Sequence, residues 1–376
     1  MATSQLIDKN AILKSSFPKY LGIHYLTERY EWTTSQLAEW NWRANNNVLD
    51  QINKVGGSVR RFNARTLNSI EQNKINTVIY DNQQNRYVLQ HFQKPQTGIV
   101  VSVPDNVSIK EPLDLDLLLN SKVPTAFTFV LNLGNNSSLK IKQYFHISGD
   151  QKNTSIIFAG KQGDDSHLKI NTCVISDHSI DLAMFGEFDS GNDSQCDWSL
   201  EPNSKGNLLG DVSINLRNPG SFGNLNTLRI GSGNDQVGFQ GAVKHYGENT
   251  TSRINMRGVL FDSSKINFTS IGQIIHGAAG ADAEQQSRLM TVGQHTKGTV
   301  NPLLLIDEND VQAGHAASVG QYDEDDLYYL LSRGITMEQA KKILVSNFIS
   351  PVFKPLDKKS QKLITNYLEG SINGGL

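Results

Sequence analysis

From about Thr125 to Asn309 the chain is written almost entirely in one pattern, short runs of alternating apolar and polar residues broken by polar turns. AFTFVLNL, SLKIKQYFHI, TSIIFAG, HLKINTCVI, DLAMFGEF, LLGDVSINL, NTLRI, QVGFQGAV, SRINMRGVLF and KINFTSIGQII follow one another. Gly134-Asn135-Asn136, Gly163-Asp164-Asp165, Gly191-Asn192-Asp193 and Gly231–Asp235 punctuate the series. Strand after strand without an intervening helical pattern predicts an all-β body. About ten strands exceed a comfortable open sheet. A sandwich, a barrel and a stacked β-helix all satisfy the pattern. No strict hexapeptide or nonapeptide repeat selects among them.

The flanks read differently. Thr33 with Gln36 resembles a capping box, and Leu37, Trp40, Ala44, Val48 and Ile52 then recur at helical spacing until Gly56-Gly57. Thr77–Tyr80 and Arg86–Leu89 flank a polar Asp81–Asn85 segment and read as a hairpin; Gly98 to Val103 reads as a strand. Glu111–Asn120 fits helix and strand alike. At the other end, the acids Asp323–Asp326 lead LYYLLSR into a helix stopped by Arg333 and Gly334. Thr336 with Gln339 caps a second helix, with Pro351 expected beyond its end. A third carries Leu363, Ile364, Tyr367 and Leu368 on one face. Helices this short must pack on the β body or on another protein.

Composition excludes several classes. Net charge is −2 and no stretch is densely basic, so the chain lacks the cationic stripe that supplies nucleic-acid affinity. Met1–Ser16 has no apolar signal-peptide core, and no apolar run reaches the roughly 18 residues of a membrane span. The expected compartment is cytoplasmic, with no membrane and no nucleic acid as partner. Only Cys173 and Cys196 are present, whereas a thiolate-held iron–sulfur cluster takes about four. Any such cluster would need ligands from another chain.

Catalytic signatures fail one by one. Gly314 and Gly320 are one residue too far apart for a phosphate loop, and Gln321 stands where lysine is required. Gly231-Ser-Gly233 opens no helix. None of the nine histidines pairs at the spacing of a helical metal site; His276 and His295, in glycine-containing turns, rank behind His315. The acids Asp164, Asp165, Asp189, Asp193, Asp307 and Asp310 could serve glycan hydrolysis. All but the last two read as turn residues instead.

Residues 301–352 set an apolar strand, an acidic ENDV turn, a GHAASVG loop and an acid-led helix ending in SRGI in that order. This order resembles the C-terminal signature of the SufB/SufD family of the SUF iron–sulfur cluster assembly system. The strand-rich region before it agrees in general character; residues before about 95 agree weakly. SufB-like chains carry a Glu-His-Glu-Ala type sequence at the histidine. Here it is Gly314-His315-Ala316-Ala317, nearer the SufD-like form, and no cysteine follows Cys196. Ala313 stands where that form often has a cysteine.

The resemblance implies a mainly β protein. A right-handed parallel β-helix, 96–318, would lie between a partly helical region, 1–95, and a helical domain, 319–376. It implies a heterodimer with a SufB-like paralogue, a SufC-like ABC ATPase docked on the C-terminal helices, and a cluster built at the SufB–SufD interface. His315, beside Gly314, then corresponds to the interface histidine, a candidate iron ligand or proton relay. The ATPase-docking surface would comprise Asp323, Glu324, Asp325, Asp326, Tyr328, Tyr329, Arg333 and Gly334. These helices could equally cap an open sheet edge. No cofactor is expected to stay on the chain alone, only a transient iron–sulfur cluster or iron at the interface; a homodimer without SufB is left open. The function expected is a non-catalytic scaffold. The alternatives are a carbohydrate-active β-helix enzyme and a SufB-like chain that nucleates clusters itself.

Overall fold

A computed structural model of the protein describes residues 37–62, 66–82 and 85–374. Strand β1 (Asn41–Ala44), helix α1 (Asn46–Lys54), strand β2 (Ser58–Arg61) and helices α2 (Ser69–Asp81) and α3 (Arg86–Gln93) come first. Two parallel sheets then grow in alternation. One holds β4 (Leu113–Ser121), β6 (Ser138–Gly149), β8 (His167–Ser176), β10 (Gln195–Pro202), β12 (Phe222–Gly231), β14 (Thr251–Leu260), β16 (Ala281–Thr291) and β18 (Val311–Gln321). The other holds β3 (Thr97–Val103), β5 (Thr125–Leu133), β7 (Asn153–Gln162), β9 (Ile180–Ser190), β11 (Gly206–Leu216), β13 (Gln236–His245), β15 (Lys265–Ile274) and β17 (Lys297–Ile306). Each strand pairs with its second neighbour in sequence, so the chain winds as a parallel β-solenoid of about 8 turns, the stacked member of the three architectures. Helices α4 (Glu324–Ser332), α5 (Met337–Phe353) and α6 (Lys358–Gly374) end it.

The turns fix the stacking. Asn136, Asp165 and Asp193 adopt φ of 49°, 52° and 48°, a left-handed geometry that Asn and Asp tolerate better than other side chains. Each rung also reaches back to the last. The Asp105 carboxylate accepts from Asn135 N–H, the Asn135 side chain from Asp164 N–H, and the Asp164 carboxylate from Asn192 N–H, at 2.7–2.9 Å. These partners lie 30, 29 and 28 residues apart, and that is the repeat. A Cβ on Gly191 would come 2.4 Å from the carbonyl carbon of Gly163, so this corner stacks only glycine on glycine. Between the sheets the lumen is filled mainly by Leu, Ile and Val, with aromatic side chains among them. Trp198 meets Phe158 and Phe188 edge-on at 5.1 and 4.5 Å, contacts worth about 1 kcal/mol each beyond the area they bury.

Three local expectations are corrected. The expected hairpin is helical. Asn68 and Glu71 form a capping box at the start of α2, and Asn85 caps α3, so the polar segment ends one helix and starts the next. Burial of Ile75 and Val78 against the sheet outweighs the β preference of Thr77–Tyr80. The helix read from Leu37 begins only at Asn46, because β1 intervenes and pairs with β4; Thr33 and Gln36 lie outside the described residues. Pro351 sits inside α5. Its neighbour Ile349 and the following Val352 are buried against the sheet, which holds the last turn despite the missing N–H. The ambiguous Glu111–Asn120 run provides strand β4.

Both sheets carry helices on their outer faces. Under α2, Lys74 Nζ donates to Glu187 Oε1 and Asp189 Oδ2, both at 2.7 Å, and Asn215 bridges the same two carboxylates. Burial pushes the Asp189 carboxyl up, but Lys74, Asn215 and Arg217 outweigh it and hold the group below its ordinary range. On the opposite sheet, Val345, Ile349, Ile364 and Leu368 of α5 and α6 cover Leu228, Ile230 and Val259. The Asp357 carboxylate, before α6, accepts from Tyr144 Oη at 2.8 Å and Asn171 Nδ2 at 3.1 Å.

Candidate functional site

The two ends of the solenoid differ. At the first rung β1 and β2 pair antiparallel onto β4 and β3, and Val48 and Ile52 of α1 enter the core. At the last rung, among the described residues, β17 pairs only with β15 and β18 only with β16, so each sheet ends in an unpaired edge. Every residue of β18 after Val311 is exposed. So are Leu303, Leu305 and Ile306 on β17. A solenoid buries its terminal rung only with a cap or a partner.

His315 stands in the middle of that edge. The GHAASVG stretch, expected as a loop, is the centre of β18: it is mostly Gly, Ala and Ser with Val319 as its one β-branched residue, and pairing with β16 imposes the conformation. Alternation decides which way each residue points. Ala313, His315, Ala317 and Val319 are in register with Ala283, Gln285, Ser287 and Leu289, the buried, lumen-facing residues of β16. His315 therefore tops the lumen at its open mouth. Gly314 lies on the outward side opposite Glu284, with open space where a Cβ would be.

The acidic helix follows at once. Asp323 caps α4 by accepting from Asp325 N–H at 2.8 Å, and Glu324, Asp325 and Asp326 fill the first turn, where the helix dipole favours negative charge. Arg333 closes α4 with its guanidinium 5.2 Å from the Tyr329 ring centroid, and Gly334 takes φ of 82°. No residue of α4 is buried; Tyr328 is 74% exposed. Sequence reasoning missed the apolar rim beside His315. Its signal was LLLI in β17, apolar on both faces of a strand.

The other reactive candidates are committed elsewhere. Cys196 lies in the lumen and Cys173 beneath the C-terminal helices, and burial raises both thiols. His91 is held between Ser155 and Thr128 and His245 between Thr250 and Ser252, all at 2.8–2.9 Å; burial lowers them to about 3 and about 4. His276 lies 3.7 Å from Glu308, and His295 lines a cavity with Gln321, at the far end of β18, and the start of α5. Asp164, Asp165 and Asp193 shape turns. Asp189, expected in a turn, lies in β9 and is paired with Lys74, because the strand runs on to Ser190. Among the described residues no three His, Cys, Asp or Glu side chains converge as a metal site. No described helix is long and apolar enough to cross a membrane.

These features define an open-ended parallel β-solenoid whose exposed histidine sits on its rim. Across residues 120–348, more than half of the chain, the sequence matches the family described as SUF system FeS cluster assembly, SufBD core domain. The chain belongs to the SufB/SufD family. It is SufD-like: 31% identical over 276 residues to the iron–sulfur cluster assembly protein SufD of Bacillus subtilis strain 168, covering 71% of this chain and 63% of that one. An iron–sulfur cluster assembly SufBD family protein of Synechocystis is 27% identical over 169 residues, 44% of this chain and 34% of that one. The matched region thus spans less than two thirds of either relative.

Proposed function

We propose that this protein is a scaffold subunit of SUF iron–sulfur cluster assembly that turns over no substrate alone. Its open rim pairs with a SufB-like subunit, and α4 with the start of α5 docks a SufC-like ATPase. The observation that carries this reading is the last rung, with two unpaired strand edges, an apolar margin and one histidine at the lumen mouth. A paired edge would satisfy its backbone groups and cover Leu303, Leu305, Ile306 and Val319. In that interface His315 would present an imidazole able to bind iron or relay a proton. The cluster is cargo here, and the remaining ligands would come from the partner. The acids of α4 and the exposed tyrosines beside them suit a partner with complementary basic groups.

Co-expression with SufB-like and SufC-like chains tests it. A stable complex is expected, and His315→Ala should leave the complex intact while lowering cluster maturation at least about tenfold. Normal maturation by that variant would remove the histidine from the mechanism. Anaerobic reconstitution of the chain alone with iron and sulfide should give no stable cluster; a cysteine-dependent one would favour a SufB-like role. The carbohydrate-active alternative loses Asp189, which is bound to Lys74.

A further inference from the structure

One column of lumen-facing residues runs through five rungs of the solenoid in register: Trp198, Leu225, Ile254, Gln285 and His315. Its first three members are apolar and fully or almost fully buried, as a lumen position should be. The column turns polar only in its last two rungs. Gln285 is 4% exposed, so proximity to solvent does not explain it.

The Gln285 side chain is anchored at one end. Nε2 donates to the backbone carbonyl of Leu303 at 2.8 Å, and a carbonyl can accept only from the nitrogen, which fixes the amide orientation. The other end, Oε1, is buried and has no protein partner. A buried amide oxygen left so is costly and calls for an explanation. Small residues flank Gln285: Ala283 and Ser287 on the same strand face, Ala313 and Ala317 on the rung above, and Gly272 beside Nε2. The side chain in register directly above is His315.

We propose that Gln285 is the positioning residue for His315. Its Oε1 accepts the N–H of one ring nitrogen when the imidazole lies over the lumen mouth. That bond selects a single tautomer and turns the other, unprotonated nitrogen outward, toward whatever docks on the rim. An imidazole that meets a metal or a proton donor is commonly oriented this way by an acceptor behind it. The inference deepens the proposed role of His315 and rests on it for its purpose, but not for its geometry.

The test reads the imidazole and not cluster assembly. Protein labelled with nitrogen-15 in histidine, assigned by loss of signal in His315→Ala, is measured by NMR alone and in the co-expressed complex, at a pH where the ring is neutral. In the complex the His315 nitrogens should separate into one protonated and one unprotonated resonance. Gln285→Leu should collapse them toward the averaged values of a free imidazole. Gln285→Glu, which keeps an acceptor of nearly the same shape, should restore the separation. Averaged resonances in the wild-type complex, or a separation unchanged by Gln285→Leu in folded protein, would overturn the inference. If His315→Ala matures clusters normally while the tautomer still depends on Gln285, the proposed role of His315 fails and this contact stands. If His315→Ala abolishes maturation while the tautomer ignores Gln285, only this contact fails.

Discussion

At its N-terminal end the solenoid is closed: β1 and β2 run antiparallel against the first parallel strands, and α1 drives Val48 and Ile52 into the core. At its C-terminal end the same two sheets stop, among the described residues, with unpaired edges and exposed apolar residues on β17 and β18. The helices differ in the same sense. Helix α2 is tied to the sheet by a buried lysine bridging two carboxylates, whereas α4 buries nothing. One end spends its side chains on its own stability, and the other keeps them for another molecule. A parallel stack exposes ladder groups at both ends by construction, so covering one and leaving one bare is a property of the sequence.

The strongest test of the closed end is Lys74→Ala. With the cation gone, Glu187 and Asp189 would face each other beneath α2 with only Asn215 and Arg217 for company. Removing one partner of a buried ion pair costs about 3–5 kcal/mol, and chemical denaturation of the isolated chain should show a loss of that order. A loss below about 1 kcal/mol would mean that α2 is no better fastened than α4.

Acid should act on the buried histidines. His91 lies on the buried face of α3 and stays neutral when folded, with burial lowering it to about 3; unfolded, it takes up a proton near the ordinary value of 6.5. Its contribution is therefore complete above about pH 6.5 and is lost as pH falls toward 3. Linkage puts the loss near 2 kcal/mol by pH 5. His245, lowered to about 4, acts in the same direction. Denaturation midpoints measured from pH 7.5 to 5 should fall in the wild type and fall less in His91→Gln. An unchanged slope in that variant would show that the imidazole is not shielded.

The strands were largely legible because alternation and turn chemistry both declare them, whereas their stacking as a solenoid, and not a sandwich or barrel, came only from the resemblance. Gly134, Gly163 and Gly191, each followed by Asn or Asp pairs, even carry the solenoid's repeat, near 29 residues and far longer than the six or nine of the repeats sought. The resemblance at residues 301–352 supplied the handle on His315 and the acidic helix. Less legible were places where tertiary pairing overrides local preference. Thr77–Tyr80 is β-prone but helical because its apolar side faces a sheet. Gly314–Val319 lacks strand character and becomes a strand because β16 offers it a partner. The polar Gln285 beneath His315 is invisible without register, since only the 30-residue offset brings the two together.

The smallest effect sets the two ends directly against each other. Ile52→Val removes one methylene from the closed end and should cost the isolated chain about 1 kcal/mol. Leu305→Ala removes far more, yet Leu305 is 47% exposed on an uncovered edge, so the same measurement should show about 0.5 kcal/mol or less. Pairing with a SufB-like chain should invert the order. Leu305 would then be buried at the rim, and its truncation should weaken association by roughly tenfold or more while Ile52→Val leaves association untouched. Affinity measured with purified partners, beside denaturation of each chain alone, separates the two. Should Leu305→Ala destabilise the lone chain more than Ile52→Val does, the C-terminal rung is already covered in solution. The gel-filtration mass of the wild type then tells whether a second copy covers it.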